Sequence, residues 1–79
     1  EVLQVAPNPT ADSWTVTFAP IVGIDRLVVT DLSGKTWRDL VVKGQQAIVI
    51  PTTDLASGMY VLQAFSGNKL VDSVKVARQ

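Results

Sequence analysis

"SWTVTF", residues 13–18, alternates without interruption: Trp14, Val16 and Phe18 fall on one face, and Ser13, Thr15 and Thr17 on the other. A period of two sends successive side chains to opposite faces of a strand, so this stretch predicts a half-buried β-strand with Trp14 in the core. Working outward, "RLVVTD" (26–31) and "TWRDLVV" (36–42) flank "LSGK", where Ser33-Gly34 supplies the positive-φ residue of a tight hairpin. "AIVI" (47–50) is β-branched and is closed by Pro51, which has no N–H to give to a ladder. "MYVLQAF" (59–65) and "LVDSVKVA" (70–77) flank "SGNK", whose Gly67-Asn68 pair tolerates left-handed backbone and favours a second hairpin. With "EVLQV" (1–5) added, the chain holds about seven short strands at the spacing of a sandwich or barrel. "TTDLASG" (52–58) has room for one helical turn, capped by Thr53 or Asp54 and ended by Gly58. No ten-residue window keeps a helical period, so the architecture predicted is an all-β antiparallel sandwich.

At 79 residues the chain can build one hydrophobic core, and 47% hydrophobic against 18% charged residues gives it enough apolar surface to order itself. A single domain, residues 1–79, is expected. Seven basic and seven acidic residues cancel to a net charge of +0 and are scattered singly, so no basic stripe exists to neutralise phosphates and no nucleic-acid partner is expected. Low net charge and a mean hydropathy of +0.26 favour docking onto another surface or pairing of edge strands between two copies. The longest nearly apolar run, "FAPIVGI" (18–24), is broken by Pro20 and Gly23 and is too short to span a bilayer, so no membrane insertion is expected. The chain starts at Glu1 already in a strand-like pattern, which suggests an excised or processed piece of something longer.

With no histidine and no cysteine, the usual neutral-pH general base, the thiol nucleophile and the best zinc ligands are missing. No catalytic residue, no metal site and no cofactor is expected, and the protein is read as a non-enzyme. The aspartates Asp12, Asp25, Asp31, Asp39, Asp54 and Asp72 sit mostly at strand ends or turns, where the side chain accepts local backbone hydrogen bonds. Calcium is unsupported, because no D-x-[DN]-x-[DN]-G loop occurs. Trp37 alternates with Lys35 and Asp39, which leaves open an exposed contact role or packing at the sandwich edge.

Four features, in order, carry a resemblance: "APNPT" (6–10), "VVTDLSGK" (28–35), "LASGMYVLQAF" (55–65) with its L-x-x-G-x-Y pattern, and the last strand "DSVKVARQ" (72–79). Together they resemble the type A C-terminal sorting domain of the type IX secretion system, over essentially the whole chain. The resemblance implies a seven-stranded immunoglobulin-like β-sandwich without catalytic activity, covalently linked to an N-terminal cargo. It implies recognition in the periplasm and passage of the cargo through an outer-membrane translocon, with shuttle and sortase proteins as partners and the cell surface or the medium as destination. It assigns recognition to Pro7, Asn8, Pro9, Asp31, Gly34, Gly58, Tyr60 and Lys75. Family members often have an aromatic residue where this chain has Ala6, and a tail richer in lysine.

"APNPT" then admits two compatible readings. Pro7 and Pro9 fix φ and break the first strand cleanly, as any sandwich would need, or they present Asn8 and the adjacent edge as a rigid docking element. An alternative function is a generic immunoglobulin-like or fibronectin-like accessory module, or a carbohydrate-binding module of a secreted enzyme, for which only Trp37 offers a candidate stacking ring.

Overall fold

Seven strands follow one another in a computed structural model that describes residues 3–19 and 23–79: β1 (Leu3–Ala6), β2 (Ser13–Phe18), β3 (Arg26–Asp31), β4 (Thr36–Val41), β5 (Ala47–Pro51), β6 (Gly58–Ser66) and β7 (Lys69–Arg78). They form two antiparallel sheets, of order β1-β2-β5 and β4-β3-β6-β7, packed face to face as an immunoglobulin-like sandwich. The alternation in "SWTVTF" decides the register of the smaller sheet. Trp14, Val16 and Phe18 are buried, and Thr15 and Thr17 face outward beside Ala6 and Gln4 of β1. From the larger sheet Leu27, Val29, Tyr60, Leu62, Ala64 and Val76 meet them in one core. A one-residue slip of any of these strands would turn its whole apolar set to solvent.

Both sequence-predicted hairpins form. Gly34 (φ +93°) closes the β3–β4 turn, and Gly67 (φ +61°) the β6–β7 turn; these backbone conformations strain any residue with a Cβ. Pro51 ends β5 and pairs with Ser13 between hydrogen-bonded steps of the ladder, so its missing N–H breaks no ladder bond. The helical turn expected in 52–58 is not there. Leu55 N–H donates to Thr52 C=O at 2.9 Å, a β-turn, because the buried Leu55 side chain and the tether from Thr52 N–H to Asp12 C=O (2.7 Å) hold the segment onto the sandwich. The first strand begins at Leu3 in the description; Glu1 and Val2, and Pro20 to Val22 of the apolar run, lie outside the described residues.

Trp37 departs from simple alternation. The β3–β4 register shifts between Val29, opposite Arg38, and Thr30, opposite Thr36, so Trp37 is the extra residue of a β-bulge. Its ring is therefore half-buried and packs against the core, which resolves the alternative between an exposed contact and edge packing in favour of packing. Lys35 Nζ lies 4.2 Å from the ring centroid, and the indole N–H donates to Asp31 Oδ2 at 3.0 Å. That leaves Trp37, among the described residues, no open ring face of the kind a sugar would stack on.

Candidate functional site

The strand register brings the motif residues to one end of the sandwich. Asp31, Tyr60 and Val76 stand abreast on β3, β6 and β7, with the β3–β4 turn, the 52–58 connection and the end of β7 around them. β1 ends at Ala6 at this same end, and the proline segment that follows crosses to the edge of β7. Both X-Pro bonds, Ala6-Pro7 and Asn8-Pro9, are cis, and Pro7, Asn8 and Pro9 are all exposed.

Asn8 does there what a neighbouring strand would do. Its side-chain Nδ2 donates to Lys75 C=O at 3.3 Å, and its Oδ1 accepts from Ala77 N–H at 2.9 Å, so one amide covers a donor and an acceptor on the outer edge of the last strand. Thr10, only 2% exposed, continues the cover. It forms a parallel bridge with Arg78, donating N–H to Ala77 C=O at 3.0 Å and accepting from Gln79 N–H at 2.7 Å. The Thr10 hydroxyl donates to Ser13 C=O at 2.5 Å and accepts from Ser13 N–H at 3.1 Å, which turns the chain into β2. Trp14, the first inward residue of β2, sends its indole N–H to the same Ala77 carbonyl at 3.2 Å.

Trp14 also meets Tyr60 edge to face, with centroids 6.0 Å apart and planes at 65°, and Tyr60 Oη donates to Ala56 C=O at 2.6 Å. The Tyr60 ring is buried, so it holds the 52–58 connection in place and presents nothing to solvent. Gly58 (φ +147°) opens β6 just before it. Next to this connection Arg38 donates to the carbonyls of Trp37 (2.9 Å) and Pro51 (3.2 Å) and to the Asp54 carboxylate, bridging the two sheets. Arg78 Nε adds a bond to Thr52 C=O at 2.9 Å.

Asp31 is the hub of the adjoining hairpin. Its carboxylate accepts from Ser33 Oγ (2.6 Å), Ser33 N–H (2.9 Å), Lys35 N–H (3.0 Å) and the Trp37 indole. The Ser33 hydroxyl above all, then the Trp37 indole, holds its pKa down to about 2. Gly34 N–H closes the turn onto Asp31 C=O at 3.1 Å. Lys75 is exposed on the outer face of β7, opposite Val61, and it is its carbonyl, not its ammonium, that Asn8 grips.

The eight sequence-predicted residues therefore form a rim. The proline segment, Lys75 and Tyr60 are linked through β7, Trp14 and Thr10, while Asp31 and Gly34 stand two strands away from β7, roughly 10 Å at the usual strand spacing. Among the described residues no three acidic side chains converge as a metal site would need, and the carboxylates of Asp31, Asp39 and Asp54 are each held in hydrogen bonds at the surface. Sequence reading passed over Thr10, the indole N–H of Trp14 and the Arg38 bridge. Only Thr10 left a local signal, a threonine three residues before Ser13 at the start of a strand.

The sequence matches, over residues 4–77, the model of the family described as the secretion system C-terminal sorting domain. No curated protein matches the chain. A seven-stranded sandwich with its sequence motifs collected on one rim is the class of protein this geometry defines. The chain belongs to the C-terminal sorting domain family, and its function is that of the type IX secretion sorting signal: it directs a linked cargo protein for export to the cell surface or beyond.

Proposed function

We propose that residues 1–79 form a single sorting domain, that it acts without catalysis, and that the machinery reads the rim formed by the proline segment and the end of β7. The observation that carries this reading is the grip of Asn8 on Lys75 and Ala77, which makes the PNP turn and the last strand one rigid surface. A preformed surface loses little conformational freedom on binding. Pro7, Asn8, Pro9 and the Lys75 side chain lie on its exposed side and are the contact candidates; Gly34, Gly58, Asp31 and the buried Tyr60 act by holding the rim in shape. The partners in this reading are the translocon and the shuttle and sortase proteins of the outer membrane, met during transit through the periplasm by a domain carried behind its cargo.

The test is a fusion of residues 1–79 to the C-terminus of a periplasmic reporter in a type IX-competent strain. The intact fusion is expected at the cell surface, and a fusion truncated from Leu70, which lacks nearly all of β7, is expected to stay in the periplasm. Equal export of the two would refute the reading.

A further inference from the structure

The smaller sheet ends at β1, beside the β7 edge of the larger one. Phe18 N–H donates to Gln46 C=O at 2.9 Å, so Trp14, Val16 and Phe18 spend their backbone groups on β5, and Thr15 and Thr17 spend theirs on Ala6 and Gln4 of β1. By the same alternation the amides and carbonyls of Leu3 and Val5 point away from the ladder. Leu3 N–H is taken by Asp72 Oδ2 at 3.2 Å, whereas the Val5 peptide groups face a groove of about 730 Å³ between β1 and β7. That size lies within the range of about 300–1,000 Å³ usual for binding sites. Gln4, Val5, Thr15, Thr17, Ser73 and Val74 line it, and among the described residues Asp72 is the only charged one in its lining.

The β7 side of the groove is latched at both ends, by Asn8 on Lys75 and Ala77 and by Asp72 on Leu3. Strand addition at the far end of β7 is thus already pre-empted by the PNP turn, and of the two edges that border this groove, β1 and β7, the one left open to a partner is that of β1. We propose that this groove receives one extended segment of the secretion machinery as an added strand beside β1, giving the smaller sheet a fourth strand. The proposal rests on the sorting reading above and specifies where the signal is bound.

The lining describes the occupant. The outward positions of β1 and β2, namely Gln4, Ala6, Ser13, Thr15 and Thr17, carry no charge, so the inserted segment is uncharged where it lies on them. It carries one lysine or arginine opposite Asp72. A second copy pairing through its own β1 fits less well, because β1 reads Leu-Gln-Val-Ala and brings no basic residue to Asp72.

Val5→Pro removes the outward donor while leaving every β1–β2 ladder bond intact, and Thr17→Trp fills the groove from the neighbouring strand. Val49→Lys, on β5 at the other edge of the same sheet, is the control. Each is placed in the reporter fusion, and each purified domain is checked by circular dichroism and sedimentation. Folded Val5→Pro and Thr17→Trp domains are expected to lose surface export by at least about tenfold, as loss of even one good contact would give, while Val49→Lys exports normally. Native-level export from either folded variant overturns the proposal; should Val5→Pro fail to fold, Thr17→Trp decides alone. A native domain that sediments as a dimer, and a Val5→Pro domain that does not, overturns it in favour of a second copy. Failure of the unaltered fusion to reach the surface counts against the sorting reading itself.

Discussion

Replacing Asn8 by alanine isolates the link between the proline segment and the last strand. The side chain makes two bonds to β7, of 2.9 Å to Ala77 N–H and 3.3 Å to Lys75 C=O, both at the surface. A net worth of about 0.5–1.5 kcal/mol per bond, with the longer one at the low end, puts the loss at about 1–2 kcal/mol. For a domain of this size that lowers the thermal midpoint by roughly 4–16 °C, at about 4–8 °C per kcal/mol. The change also has a local signature. Hydrogen exchange should accelerate at the Ala77 amide and stay slow at Val76, whose backbone pairs with Tyr60 in β6. Asn8→Asp sharpens the test, since it keeps an acceptor for Ala77 but sets a second acceptor against the Lys75 carbonyl, and so should stabilise no better than alanine. An Asn8→Ala domain with an unshifted midpoint and unchanged exchange at Ala77 would refute the claim that this amide substitutes for a strand.

Three further outcomes follow from the same geometry. Trp14 is fully buried, so Trp14→Ala should cost about 3–5 kcal/mol in urea unfolding, most of what a domain this small holds, whereas Trp14→Phe should stay folded. Gly34→Ala meets no neighbour within 4 Å, so its cost of about 1–2 kcal/mol should come from the φ of +93° alone and leave the urea m-value unchanged. Asp31 has a folded pKa of about 2, below its unfolded value; its stabilisation is therefore complete above the unfolded pKa and is lost as pH falls from about 4 toward 2. Acid titration of Asp31→Asn should show a flatter decline through that window than the native domain.

The strands were legible because each carries its own local signal. Alternation placed β2, Ser33-Gly34 and Gly67-Asn68 placed both hairpins, and Pro51 placed the end of β5. What stayed hidden is long-range. The bulge that turns Trp37 inward depends on the register of β3, and the Arg38 bridge on how β4 meets β5, neither of which periodicity within one strand can report. Asn8 lies 67 and 69 positions from the residues it holds, and nothing in "APNPT" names them. The motifs identified the family without revealing that they converge, since convergence is a property of strand pairing.

That convergence alters how the two readings of the proline segment compete. Prolines that only broke the first strand would leave Asn8 in solvent, and prolines that only presented a docking loop would leave the edge of β7 open. Here the turn closes that edge with Asn8 and Thr10 while keeping Pro7 and Pro9 exposed, so the turn that sets the geometry also leaves its prolines at the surface. The practical consequence is that lost export in an Asn8 variant says nothing by itself about contact with a receptor, because the end of β7 is loosened too. Pro7 and Pro9 have exposed rings, so substituting them while Asn8 stays seated, as read by slow exchange at Ala77, separates a surface that is touched from a strand that must merely be held.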